Sequence, residues 1–151
     1  MTTVTPYLCV ADAAAALDFY AGALGAEELY RLEMGNGGIG HAEMRIGDTV
    51  VMLSDEWPEG GVVSPARQEG SSTSFTVTLD EPAEFDAWWS RAVAAGVTVE
   101  REPSDQFYGH RTATFLDPFG HRWSINAVLE EVSPEEMQRR LARMEDEGEA
   151  G

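Results

Sequence analysis

The chain contains no lysine; all ten of its basic residues are arginine. Schiff-base chemistry and the phosphate-gripping lysine of a P-loop are therefore excluded. Cysteine is almost absent as well. Cys9 stands alone, so no internal disulfide can form, and its place in an alternating apolar run reads as an inert buried thiol rather than a nucleophile. No apolar run approaches the ~20 residues of a membrane-spanning helix. The opening MTTVTPYL lacks the basic-then-apolar order of a secretion signal. Positive charge is scarce: 27 acidic residues leave a formal net charge of -17. That balance argues against nucleic acid and membrane surfaces as partners, because phosphate binding needs a basic face. A soluble, cytoplasmic protein is expected.

What is present is a pattern written twice. His41 and His110, Asp48 and Asp117, Phe19 and Trp88, Tyr20 and Trp89 are each 69 positions apart. The clearest stretch is GHRTATFLDPFGHRWSIN, Gly109 to Asn126, which reads as two strands joined by the turn Asp117-Pro118-Phe119-Gly120. Its counterpart runs from Gly40-His41 through Gly47-Asp48 into TVVMLSD. Thr5 to Val10 reads as a strand, Asp12 as a helix cap, Ala13 to Leu24 as a helix stopped by Gly25, and Glu28 to Met34 as a strand. The second copy repeats this: a strand over Thr73 to Leu79, a helix over Pro82 to Ala95, a strand over Val97 to Arg101, a loop over Glu102 to Tyr108, then the hairpin. The expected fold is α+β, with two βαβββ modules in one curved, barrel-like mixed sheet. The modules cover about 3–55 and 73–129, joined by a Gly/Pro/Ser-rich linker at 56–72, in one domain spanning 1–131. Residues 132–151 supply a last helix and an acidic tail. Ser133-Pro134-Glu135-Glu136 is its capping signal, and Met137, Leu141 and Met144 are its apolar stripe.

The doubled module, with FYAGALG in the first helix and DPFGHRW before the last strand, resembles the vicinal oxygen chelate superfamily of glyoxalases, bleomycin-resistance proteins and extradiol dioxygenases. GHAEMRIGDTVVMLSDEWP, DPFGHRWSI and the SPEEMQRR tail look like its PhnB-like branch. The resemblance covers about Thr3 to Leu129 and implies the fold, a homodimer whose contact completes a cleft, and a divalent metal in many relatives. Carried over position by position, the implied ligands are Thr5 and Ser74 on the first strands, Ser124 four residues after Gly120, and Met52 in the first half. Three hydroxyls and a thioether are poor partners for a divalent ion of this class. Neither a metal nor another cofactor is therefore expected.

His41 and His110 are the residues best suited to chemistry, with Glu43 on the strand face of His41. Two readings stand side by side: a displaced metal site or acid-base pair, and two locally hydrogen-bonded histidines at equivalent strand starts. Strand alternation puts Thr5, Tyr7, Cys9, Ser74, Thr76, Thr78, Arg122, Ser124 and Asn126 on one side. Leu8, Val10, Phe75, Val77, Trp123 and Ile125 fall on the other, under the helices. Trp57, Phe107 and Tyr108 lie in loops, as an aromatic mouth or as a satellite cluster beneath those loops. Arg122 is a cation for a ligand or one half of a salt bridge. His121 reads as exposed and structural, while one of Trp88 and Trp89 packs on the sheet and the other serves a subunit contact.

The expected ligand-binding set is Thr5, Tyr7, His41, Met52, Trp57, Ser74, Thr76, Phe107, Tyr108, His110, Arg122, Ser124 and Asn126. No catalytic residue and no metal ligand is assigned. The leading reading is a metal-free protein that sequesters an aromatic or antibiotic-like small molecule. The alternative is a metal-dependent lyase, isomerase or dioxygenase working through His41, His110 and Glu43.

Overall fold

Alternating apolar positions build eight strands in the computed structural model, which describes residues 1–150, with side chains to 148. The first module is β1 (Tyr7–Val10), α1 (Ala13–Leu24), β2 (Glu27–Glu33), β3 (Ile39–Ile46) and β4 (Thr49–Asp55). The second is β5 (Ser74–Leu79), α2 (Phe85–Ala94), β6 (Thr98–Asp105), β7 (His110–Leu116) and β8 (Arg122–Val128), followed by α3 (Pro134–Ala150). Each module forms its own four-stranded mixed sheet, ordered β1-β4-β3-β2 and β5-β8-β7-β6. The first and last strands of each module are parallel; the remaining pairs are antiparallel. The α+β fold of two βαβββ modules is thus present, as two curved sheets in which β1 and β5 are both edges rather than ladder partners.

Local chemistry explains the element ends. Asp12 accepts a hydrogen bond from the Ala15 N–H at 3.0 Å, and Gly25 closes α1 at φ 65°. In the linker, short 3₁₀ turns begin at Pro58 and Pro65. Pro82 also starts a 3₁₀ turn, so α2 proper begins three residues later than the proline signal implies. The strand expected to end at Arg101 runs on to Asp105 and absorbs Pro103 between register shifts. Proline lacks the N–H a regular ladder needs, so the pairing must slip around it.

The strand alternation is borne out. Leu8, Val10, Trp123 and Ile125 are buried, and Phe75 and Val77 pack partly buried against the same core. Leu17, Tyr20 and Leu24 of α1 are buried with them, each large side chain contributing about 1.5–3 kcal/mol of transfer free energy. Trp88 and Trp89 both pack on this core, each partly buried, where only one of them was expected to. Trp89 meets Phe115, while the Arg91 guanidinium caps the Trp88 ring at 4.5 Å.

The two modules are fastened through the Asp117 turn. Asp117 is buried and accepts from Tyr20 Oη at 2.6 Å, Trp123 Nε1 at 2.9 Å, and the N–H groups of Phe119 and His121 at 2.9 and 3.0 Å. His121 is buried rather than exposed, with Nε2 2.9 Å from the Cys9 carbonyl oxygen on β1. The turn histidine therefore satisfies an edge-strand carbonyl of the other module, which periodicity within one module cannot reveal. Gly109 has φ 86°, and a β-carbon there would stand 2.3 Å from the Glu130 carbonyl oxygen. Only glycine allows the strand exit to α3 to pass so close.

Candidate functional site

The helices cover one side of each sheet and leave the other side open. On the open face of the first sheet, β1, β2 and β3 bring four polar groups together. Tyr7 Oη is 2.7 Å from His41 Nδ1. His41 Nε2 lies 3.2 Å from Tyr30 Oη and 3.4 Å from Glu43 Oε1, and Tyr30 Oη donates to that same carboxylate oxygen at 2.9 Å. The hydrogen accounting assigns the tautomer. Tyr30 uses its proton on Glu43, so the Nε2 side of the imidazole faces only acceptor lone pairs and carries the proton. Nδ1 is then bare and accepts from Tyr7. The Tyr30 phenol is pushed above its usual range, first by its hydrogen bond to Glu43 and then by desolvation.

Beside this cluster lies an open cleft of about 880 Å³, whose lining includes Tyr7, Cys9, Met34, Asn36, Ile39 and Trp57. Trp57 stands at its edge, 63% exposed. Its indole rests on the backbone of Gly60, where a β-carbon would fall 2.3 Å from the ring. The aromatic is thus held in place while its outer face stays free. Two nearby carboxylates are spoken for. Asp55 accepts from the Ala13 and Ile39 N–H groups, each at 2.7 Å, and Glu56 accepts from Ser64 Oγ at 2.9 Å and pairs with Arg67. Burial, followed by the charges of Glu56 and Asp55, pushes the Cys9 thiol up, so it is a poor nucleophile.

The open face of the second sheet has a different character. Ser74, Thr76 and Thr78 alternate outward on β5. Ser124 Oγ bonds Thr114 Oγ1 at 3.0 Å, and Asn126 bridges His110 Nδ1 at 3.0 Å and Thr78 Oγ1 at 3.3 Å. Arg122 is held by Glu100 through contacts of 2.5 and 3.1 Å, which keep the Glu100 carboxyl below its usual range. Phe107, Tyr108 and His110 form an edge-to-face stack, with ring centres 5.2 and 5.1 Å apart. The Phe107 carbonyl accepts from Arg140 of α3.

The expected residues therefore divide between two faces. Tyr7, His41 and Trp57 gather at the first sheet; Ser74, Thr76, His110, Arg122, Ser124 and Asn126 belong to the second, with Phe107 and Tyr108 stacked beside His110. Thr5 precedes β1, and Met52 stands opposite Tyr7 across the β1–β4 pair. The alternative metal set is not assembled within the chain: His41 touches Glu43, whereas His110 is bonded on the other sheet. Among the described residues, no three His, Cys, Asp or Glu side chains converge as a metal site would require. At the positions implied as ligands, Ser124 spends its hydroxyl on Thr114, and the other donors are neutral. That donor set does not fit a hard divalent cation. Tyr30 and Asn36 were not anticipated. The Tyr30–Glu43 cross-strand pair needs the β2–β3 register, which contains shifts that a periodic reading does not capture.

Residues 2–125 match the family described as the Glyoxalase/Bleomycin resistance protein/Dioxygenase superfamily. An uncharacterized protein of Mycobacterium tuberculosis H37Rv is 37% identical over 146 residues, covering 95% of this chain and 84% of its own. Among solved structures, PA1353 from Pseudomonas aeruginosa is similar at a TM-score of 0.69 and 24% identity, over 86% of this chain and all of its own. FosX from Listeria monocytogenes, a fosfomycin resistance protein complexed with Mn(II) and sulfate, gives 0.66 at 19% identity, over 93% and 97%. The PhnB protein of Bacillus cereus gives 0.65 at 16%, over 84% and 100%. At these identities the structures speak to the fold alone.

Proposed function

Because the chain belongs to the Glyoxalase/Bleomycin resistance protein/Dioxygenase superfamily, we propose that it is a metal-free small-molecule binding protein of the PhnB-like branch, holding a planar aromatic or antibiotic-like guest. The observation that carries this reading is the first-sheet cleft. It has a held but exposed indole, apolar walls at Met34 and Ile39, and hydrogen-bonding groups at Tyr7 and Asn36. A flat ring stacked on Trp57 would keep its polar edge within reach of those groups.

A homodimer is part of the same proposal. Tyr7, Tyr30, Leu32, Met34 and Trp57 are all substantially exposed on or beside one open face. So much apolar surface in one region favours a cover. The hydroxyl-lined face of the second sheet in another copy supplies complementary polar groups, and a guest would sit between the two.

The test is fluorescence titration of wild-type protein and Trp57→Phe against a panel of aromatic and antibiotic compounds. Saturable quenching in the wild type, lost in the variant, is expected for at least one compound. A flat response across the panel sinks the reading.

A further inference from the structure

The Tyr7–His41–Glu43 arrangement has the connectivity of a proton relay: a hydroxyl on an imidazole, and the imidazole on a carboxylate. Tyr7 donates to His41 Nδ1 at 2.7 Å, and the opposite nitrogen faces Glu43 at 3.4 Å and Tyr30 at 3.2 Å. A carboxylate stabilises the imidazolium that forms when the phenol gives up its proton. Tyr7 itself is 51% exposed and lines the cleft, so one residue belongs to both the relay and the guest's surroundings. A second polar group lines the same cleft. Asn36 Oδ1 accepts from the Gly38 N–H at 2.9 Å, which turns its amide NH₂ toward other partners. Among the described residues that NH₂ has no acceptor, and Asn36 lines the same cleft as Tyr7. A base and a hydrogen-bond donor sharing one partly apolar cavity suit the removal of a proton from carbon next to a carbonyl group.

The electrostatics of the cleft also select the guest's charge. The chain carries a net charge of -17, Arg67 is already paired with Glu56, and Glu59 also lines the cleft. An anionic substrate would meet repulsion there, whereas a neutral aromatic ketone would not.

We propose that this cleft catalyses proton exchange on a neutral aromatic ketone, with Tyr7 as the catalytic base and His41 and Glu43 as the groups that take up and balance its proton. The carbon–hydrogen bond breaks and its proton passes to Tyr7 Oη, while the original Tyr7 proton moves to His41 Nδ1. The electron pair left on carbon forms the enolate, whose oxygen is held by the Asn36 amide. While the enolate is held, the proton on the exposed Tyr7 hydroxyl trades with solvent, and the reverse transfers then return the ketone carrying a solvent hydrogen. Nothing is oxidised or reduced, and no co-reactant is consumed. The proposal rests on the reading of this cleft as a ligand site.

The probe is β-tetralone in heavy water, with loss of its α-proton signal followed by NMR and binding followed by Trp57 quenching. Wild-type protein is expected to exchange the proton well above the buffer rate. Tyr7→Phe should lose about a hundredfold in exchange at saturating ketone, in the range typical of acid-base groups. His41→Ala should lose a similar factor and regain exchange when imidazole is added, a rescue that a purely structural histidine would not permit. Quenching without exchange in the wild type, or a Tyr7→Phe variant that exchanges as fast, overturns the relay and leaves binding intact. Failure of imidazole to rescue His41→Ala removes the histidine from the relay. If β-tetralone produces no quenching, this substrate class falls; if the wider panel also fails, the binding reading falls with it.

Discussion

Asp117 collects four hydrogen bonds inside the core, and its partner Tyr20 shows what such a residue does for stability. The Tyr20 phenol is completely buried and donates to Asp117 at 2.6 Å. Burial, then the Asp117 charge, pushes its ionisation well above the usual phenol range. The sign follows from linkage. A raised folded-state pKa contributes stability that is whole below the unfolded value of about 10 and is lost as pH climbs through and beyond it. Tyr20→Phe should cost about 1–3 kcal/mol at neutral pH, because it strips a donor from a buried carboxylate. It should also remove part of the alkaline loss of stability. Thermal melts of both proteins from about pH 8 to about pH 11 check this, and parallel pH curves would contradict it.

At the scale of elements, α3 differs from the rest. Its anchoring is mostly polar: Arg140 reaches the Phe107 carbonyl at 3.0 Å and Glu130 at 2.8 and 3.1 Å, and Ser133 Oγ accepts from the Glu136 N–H at 3.2 Å. Met144 on its apolar stripe is exposed, and no large hydrophobic from this helix belongs to the buried core. Helices held by few apolar contacts open at low free energy. Arg140→Ala should therefore speed hydrogen exchange along α3 while leaving β7 and β8 protected, as read by exchange mass spectrometry. Equal loss of protection in those strands would mean that α3 is integral to the core. The other elements behave differently because each β-strand pair is closed by a ladder and each of α1 and α2 buries an apolar stripe.

For the whole molecule, charge imbalance is the dominant electrostatic fact. The ion pairs are largely at the surface, where water and salt screen them and each contributes little. The net charge of -17 repels itself throughout the fold. Adding salt screens attraction and repulsion alike, and the repulsion among carboxylates is the stronger of the two. The thermal midpoint should rise with sodium chloride; a fall would show that the arginine pairs outweigh the excess of carboxylates. No helix among the described residues is long and apolar enough to cross a membrane. The sequence alone determined the duplicated module, the caps of α1 and which residues of β1, β5 and β8 face the core. These follow from local rules: side-chain period and turn chemistry. Tertiary structure alone decided that the predicted site residues separate onto two faces, that His121 bridges to Cys9 across the modules, that Tyr30 joins Tyr7, His41 and Glu43 in one cluster, and that Tyr7 and Asn36 line the cleft beside it. Those outcomes depend on inter-strand register and on how two sheets pack, and neither is encoded in the spacing of residues along a single strand.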